Sequence, residues 1–295
     1  MEKEDVMNVL VIGGTRFFGV HMVESLLKNG HQVTIATRGN VRDGFGDRVQ
    51  RVIVDRTEAG ELKNAFHGRY YDAVCDNIAY SSLDVKYLLD AVKCKRYLLT
   101  SSASVYPELG IGTGEDGFPP LHHPLRWCTR QDDTYDEIKR QAECALFQNY
   151  PELSSAAVRF PYVIGTDDYT RRLYFYIEHI IKNIPMQVDN PNAAIAFIKS
   201  TQAGEFLSWL AESELQGPVN ASSTGTITLQ EVFDYVEAKT GKKPILTHDG
   251  EEAPYNGSEG FSLDTQKADN AGYPFPGLSS WIFELLDAYL KEARG

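Results

Sequence analysis

At 295 residues and a net charge of -12, the chain is long enough for one large α/β domain or for one domain plus a smaller lobe, and its acidic surface repels nucleic acid. Basic residues fall only in short groups such as Arg171-Arg172 and Lys242-Lys243, so no nucleic-acid partner is expected. No apolar run is long enough to span a bilayer, so no membrane partner is expected either, and the charged opening, residues 1–5, has no signal-peptide core.

Residues 6–13 (VMNVLVIG) are a short apolar run ending in glycine, the pattern of a strand buried on both faces of a parallel sheet. Residues 18–29 predict a helix stopped by Gly30. Further strands are predicted over 32–37, 51–54, 71–77 and 96–101, with helices over 61–66 and 82–93 among them. This alternation predicts right-handed βαβ units and a doubly wound parallel sheet, a Rossmann-type α/β fold. Residues 107–124, rich in Gly and Pro, read as a loop. Residues 133–149 read as a long helix, and 155–164 as a sixth strand closed by Gly165. Beyond Gly165 the pattern changes: helices over 173–184, 201–212, 228–239 and 278–293 surround a short strand at 219–222. Thr228, with Glu231 three residues on, is a capping-box signature. The expected division is a dinucleotide-binding domain over 1–165, to which 199–223 returns, and a smaller mixed α/β lobe over 166–295 that binds mainly substrate.

The glycine turn carries the cofactor argument. Gly13 at a strand end permits a tight turn, and Gly19 permits close packing of the next helix. Between them lie Thr15, Arg16, Phe17 and Phe18, at a helix start whose N–H groups suit a pyrophosphate. An enzyme for NAD usually has Asp or Glu at the end of the second strand. This chain has Thr37-Arg38-Gly39 there, and Arg16 within the turn. Guanidinium groups match a 2′-phosphate, so NADP is expected in preference to NAD. Asp55, at the end of the third strand, either accepts from the adenine amine or caps a helix, and Arg56 beside it is a further cofactor-binding candidate. Asn77, Ile78 and Ala79 end the fourth strand, where ligands of such sheets sit, on the nicotinamide side.

The catalytic candidates follow. Ser101, Ser102 and Ser104 end the fifth strand, at the carboxyl edge of the sheet. Tyr135 and Lys139 are four residues apart, one helical turn along a single face. A lysine beside a phenol is expected to pull the tyrosine pKa down from about 10 toward neutrality. Such a phenol exchanges a proton with a substrate oxygen at ordinary pH. Lys139 is expected to hold the nicotinamide ribose as well.

The Gly13-Gly14-Thr15-Arg16-Phe17-Phe18-Gly19 turn, the Ser101-Ser102-Ala103-Ser104-Val105-Tyr106 run and Tyr135-x-x-x-Lys139 resemble the short-chain dehydrogenase/reductase superfamily, in its extended branch, the NAD-dependent epimerase/dehydratase family. Arg159-Phe160-Pro161-Tyr162-Val163-Ile164-Gly165 resembles the Arg-Pro-x-x-Val-Tyr-Gly-Pro stretch of that branch. Val219-Asn220-Ala221 and Phe261-Ser262-Leu263-Asp264-Thr265 resemble its later segments. The resemblance implies an oxidoreductase or epimerase that works by hydride transfer, with Ser102, Tyr135 and Lys139 catalytic. It implies a small polar substrate, a sugar nucleotide among the candidates, and a homodimer built on 82–93 and 133–149. Tyr162 is counted with the cofactor-binding residues.

Two departures bear on substrate and class. Arg16 stands where glycine is usual, in a Gly-Gly-Thr-Arg-Phe version that resembles an atypical subgroup including chloroplast stem-loop RNA-binding proteins. Tyr162 and Thr166 replace the usual asparagine and proline, which speaks against a UDP-sugar. The alternative reading is a cofactor-bound RNA-binding or regulatory protein.

The remaining candidates are less specific. Cys75, Cys94, Cys128 and Cys144 make neither a disulfide framework nor a metal-ligand spacing, and reduced thiols in a cytoplasm are expected. His122-His123 has no partner spacing, so no metal is expected. Arg126, Trp127 and Arg130 border the substrate or are solvated, and Arg171 and Arg172 bind an anion or are solvated. Tyr80 and Tyr106 are pocket candidates; Tyr174 and Tyr176 are expected to pack.

Overall fold

The computed structural model describes residues 6–295. The charged opening, residues 1–5, lies outside them. The first half alternates as its hydrophobic pattern demands: β1 (Asn8–Ile12), α1 (Phe18–Lys28), β2 (Gln32–Thr37), β3 (Gln50–Ile53), α2 (Ala59–Phe66), β4 (Tyr70–Asp76), α3 (Ser82–Leu89), β5 (Lys93–Ser102), α4 (Tyr135–Asn149) and β6 (Ser154–Phe160). With β11 (Gly217–Asn220), these strands form one seven-stranded parallel sheet in the order β11-β6-β5-β4-β1-β2-β3. The strand order reverses beside β1. That is the place where an open sheet leaves a crevice at the carboxyl ends of its strands.

Both faces of the sheet are covered, which is why its strands read as continuous apolar runs. Along β1, Val9 and Val11 face one core with Met22 and Leu26 of α1. Leu10 and Ile12 face the opposite core with Leu62 of α2, Leu88 of α3 and Ala142 of α4. A third core fills the second lobe. It gathers α5 (Arg172–Lys182), α7 (Leu229–Thr240) and α9 (Ile282–Ala293) around residues such as Tyr176, Phe197, Phe233 and Leu286. Between these elements lie β8 (Met186–Gln187), β9 (Ala194–Ile195), β10 (Phe197–Lys199), α6 (Ser200–Glu212), β12 (Ile227–Thr228), β13 (Glu251–Glu252) and α8 (Gln266–Asn270). Helix α6 packs against α1, bringing Phe206 and Leu210 into the first core.

Several elements depart from the sequence reading. The strand expected over 155–164 is two strands. Pro161 carries no N–H for the ladder, so β6 stops at Phe160, and β7 (Tyr162–Ile164) pairs with β10 instead of joining the main sheet. The helix expected over 82–93 ends at Leu89, because Lys93 and Cys94 are taken up as the start of β5 against Tyr70 and Tyr71. The last helix is also interrupted. A short 3-10 turn covers Leu278–Ser280, and Trp281 leaves helical geometry while its indole N–H donates to Ser223 Oγ at 3.1 Å. The Thr228 capping box is present: Thr228 Oγ1 accepts from Glu231 N at 3.1 Å, and Glu231 Oε2 accepts from Thr228 N at 2.8 Å.

Candidate active site

The glycine turn works through close approach. Gly13 has φ +82, which an L side chain rarely adopts, and a Cβ there would lie 2.7 Å from the Ile78 side chain. A Cβ on Gly19 would lie 2.6 Å from Gly13 O, so only glycine lets α1 start this near the strand end. Phe17 precedes α1 with φ 55 and ψ -141, a strained backbone for a non-glycine residue, and makes no side-chain cap. The start of α1 thus carries no side-chain cap; Gly19 N and Val20 N bond back to the Arg16 and Phe17 carbonyls at 3.1 and 2.9 Å, and Phe18, the first helical residue, lines the crevice.

The crevice has a volume of about 930 Å³ and runs from the ends of β2 and β3, past the turn, to the second lobe. It brings together most of the predicted residues. Gly13, Thr15, Arg16, Phe17 and Phe18 line it, as do Arg38, Asp55, Asn77 and Ile78. Ser102, Tyr135, Lys139 and Tyr162 line its other end. Gly19 lies beneath the turn instead of on the wall. Ala79 is fully buried and reaches Lys139 only through its carbonyl oxygen.

Arg56 borders the crevice, but its guanidinium is committed: Nη1 donates to Asp76 Oδ1 at 2.5 Å and Nη2 to Asp84 O at 2.6 Å. Asp55 caps a local turn, accepting from Thr57 N at 2.9 Å and Thr57 Oγ1 at 2.7 Å, and these bonds hold its carboxyl below the usual range. The N-cap position of α2 belongs to Glu58. Arg16 and Arg38 have no carboxylate within salt-bridge distance among the described residues, although Arg38 stands near enough to Asp55 to favour its charged form.

The catalytic end corrects one expectation. Tyr135 and Lys139 share a face of α4, yet the ammonium does not lower the phenol. Lys139 is 3 % exposed and donates to Ala79 O at 2.8 Å and Thr100 O at 2.9 Å. Those carbonyls, at the ends of β4 and β5, outcompete the phenol for it. Burial brings Lys139 down to about 8. Tyr135 is 49 % exposed along the open crevice, but the protein around its phenol pushes the pKa above 10; the nearby Ser102 hydroxyl opposes the rise. In this state Tyr135 is a protonated acid at neutral pH. Ser102 Oγ also accepts from Ser104 N at 3.1 Å.

Four residues left out of the sequence-based site line the same end: Tyr80, Arg130, Tyr169 and Arg172. The sequence leaves Tyr80 and the two arginines open, whereas Tyr169 has no signal beyond its place after Gly165. Tyr169 is 66 % exposed and meets Phe17 edge-on at 5.9 Å, which joins the glycine turn to the second lobe. The Arg172 guanidinium lies 4.9 Å from the centre of the Tyr162 ring and, among the described residues, donates to Thr170 Oγ1 alone, at 3.2 Å. Tyr162 thus lies at the end of the crevice that the second lobe closes, beside Arg172. Two candidates lie elsewhere. Tyr106 is buried, donates to Asn220 Oδ1 at 2.6 Å, and has its phenol pushed up to about 12 by burial. Arg171 pairs with Glu292 at 2.8 Å.

The family model for the NAD dependent epimerase/dehydratase family matches residues 9–186, more than half of the chain. The chain belongs to the NAD-dependent epimerase/dehydratase family. This is an enzyme family of the short-chain dehydrogenase/reductase type, and the match spans the glycine turn, Ser102 and the Tyr135–Lys139 helix. Among curated proteins, UDP-glucuronic acid decarboxylase 4 of Arabidopsis thaliana is 24% identical over 80% of this chain and 58% of its own length. The chloroplast stem-loop binding protein of 41 kDa b, from the same plant, is 30% identical over 33% of this chain and 30% of its own length. The chain therefore matches less than two thirds of either relative. Among solved structures, UDP-glucose 4-epimerase of Thermotoga maritima with UDP-glucose superposes with a TM-score of 0.76 at 17% identity, covering 98% of this chain and 100% of that one. UDP-glucose 4-epimerase of Thermus thermophilus with NAD gives 0.72 at 21%, covering 96% and 99%. These likenesses establish the fold. Among the described residues no helix is long and apolar enough to cross a membrane, and no group of three or more His, Cys, Asp or Glu could hold a metal ion.

Proposed function

We propose that the protein binds a nicotinamide dinucleotide along the crevice and catalyses hydride transfer at a carbon–oxygen centre of a small polar substrate, a sugar nucleotide being the leading class. The observation that carries this reading is the convergence of Ser102, Tyr135 and Lys139 with the glycine turn in one crevice. The residues present fit the dinucleotide: glycines at the two points of close approach, and a helix start open to an anion. When bound, the nicotinamide supplies the ring that accepts or donates hydride. Tyr135 is placed to give a proton to the substrate oxygen or take one from it, Ser102 to orient that oxygen, and Lys139 to hold the ribose. The dinucleotide is proposed to be NADP in preference to NAD, because Arg38 directly follows β2, where the chain carries no acid, and Arg16 lines the same crevice. Named neighbours carry NAD, so this preference is a property argued for this chain alone.

Residues 1–165 with 199–223 are proposed as the dinucleotide-binding part, and the rest of 166–295 as the substrate-binding part. That β11 joins the main sheet beside β6 supports the return. Arg172, at the substrate end with no carboxylate partner among the described residues, favours an anionic substrate. A homodimer through α3 and α4, which pack side by side, is the proposed assembly, and the four free cysteines fit a cytoplasmic setting.

The test is fluorescence titration of the purified protein with NADPH and NADH, followed by a screen of sugar nucleotides at the nicotinamide absorbance. Binding of neither dinucleotide would overturn the reading. The partial likeness to a stem-loop binding protein keeps one second reading in view, a cofactor-bound RNA-binding protein. Salt-sensitive retardation of a stem-loop RNA in a gel, without turnover of any sugar nucleotide, would favour it over the enzyme.

A further inference from the structure

Lys139 has three N–H donors. Two are directed to Ala79 O and Thr100 O. Its other close neighbour is the ring of Tyr80, centred 4.7 Å from the ammonium nitrogen. Tyr80 is itself held in place. Its N–H donates to Asp84 Oδ2 at 2.8 Å, the same oxygen that accepts from Arg130 Nε at 3.0 Å. The Arg130 guanidinium lies over the Tyr80 ring at 4.4 Å and also donates to Ile78 O at 2.8 Å. Residues 78–80 are thereby clamped from both sides of the chain. The Tyr80 ring meets Tyr135 edge-on, with centroids 6.1 Å apart and planes at 67°. Tyr80 touches both members of the Tyr135–Lys139 pair, whose side chains share no hydrogen bond among the described residues.

We propose that Tyr80 is a positioning residue: its ring face seats the Lys139 ammonium and its ring packs against Tyr135, supplying the link those two side chains lack directly. An aromatic face favours the charged form of a cation. An aliphatic side chain of similar bulk only excludes water, and so disfavours that form. The groups that bear on Lys139 are otherwise Asp76 and Asp84, which favour its charge, and Arg56 and Arg130, which oppose it. Tyr135 is protonated and neutral beside them at neutral pH. Tyr80→Phe keeps the face, while Tyr80→Leu keeps bulk and loses it.

The experiment follows the rate of amine labelling at Lys139 against pH, read by mass spectrometry, in the intact wild-type chain and both variants. The expected midpoint is near 8 in the wild type and in Tyr80→Phe, and lower by about one pH unit in Tyr80→Leu. An unchanged or higher midpoint in a folded Tyr80→Leu protein overturns the proposal, as does an equal fall in Tyr80→Phe. If Tyr80→Leu does not fold, Tyr80→Met carries the same expectation.

A second arm rests on the reading of Lys139 as the ribose anchor. NADPH affinity at pH 7.5 should weaken at least threefold in Tyr80→Leu and stay within error in Tyr80→Phe. Absence of NADPH binding in the wild type would reject the dinucleotide reading, and the labelling midpoints would still decide the role of Tyr80.

Discussion

The two ends of the crevice are built by different means. The end proposed for the cofactor is framed largely by backbone: strand ends, the positive φ of Gly13, the approach of Gly19 to Gly13 O, and the start of α1, with Arg16 and Arg38 on its wall. The residues of its turn are neighbours in the chain. The end proposed for the substrate is made of side chains from distant segments: Tyr80 after β4, Arg130 before α4, Tyr169 after β7, Arg172 at the first position of α5, and Phe261 near the C-terminal helices. A backbone cradle accepts any ligand with the right phosphates. A side-chain wall discriminates, and changes with each substitution. Tyr135 stands where the two meet.

The largest effect that would sharpen this contrast is expected from Tyr135→Phe. Turnover of whichever sugar nucleotide the wild type converts should fall by about 10²–10⁴-fold, while NADPH titrates as in the wild type. A parallel loss of dinucleotide affinity would move residue 135 to the cofactor end and erase the boundary. Arg38→Ala comes next. Losing a charge-assisted contact, roughly 1.5–3 kcal/mol, should weaken NADPH about ten- to a hundredfold and NADH little. Equal losses for the two dinucleotides would reject the 2′-phosphate assignment.

At the opposite end, Arg172→Met should raise KM about tenfold with kcat and NADPH affinity nearly unchanged, as expected for lost ground-state anion binding. A drop in kcat alone would instead tie Arg172 to the chemistry. The smallest effect is expected from Thr228→Ala, which removes the α7 capping box. It should lower stability by about 0.5–2 kcal/mol in urea unfolding and leave dinucleotide binding untouched. A binding defect would show that the second lobe shapes the cofactor end after all.

Legibility in the sequence follows the same divide. β2 is readable to the residue, because the β-branched stretch Val33-Thr34-Ile35 lies in a short segment bounded by Gly30 and Gly39. Ser102, Tyr135 and Lys139 stand out by their order and spacing, and all three reach the crevice. Their electrostatics are not legible. Helical spacing puts Lys139 and Tyr135 on one face, but the spacing is silent about the carbonyls of Ala79, in the loop after β4, and Thr100, in β5, that capture the ammonium. Arg56 looks like a cofactor residue from its place at a strand end, and its engagement with Asp76 and Asp84 depends on how β4 and α3 come together. Tyr169 is invisible because a loop tyrosine carries no periodicity.

Hydrophobic alternation and glycine placement determined the order of strands and helices, the doubly wound parallel sheet that order implies and the tight turn after β1, since those features follow from patterns that are local in the chain. Tertiary packing alone decided the capture of the Lys139 ammonium by the Ala79 and Thr100 carbonyls and the assembly of Tyr80, Arg130, Tyr169 and Arg172 around one space. Each depends on groups remote in the chain meeting in a partly water-excluding crevice, where burial and competing carbonyls outweigh what sequence spacing would set.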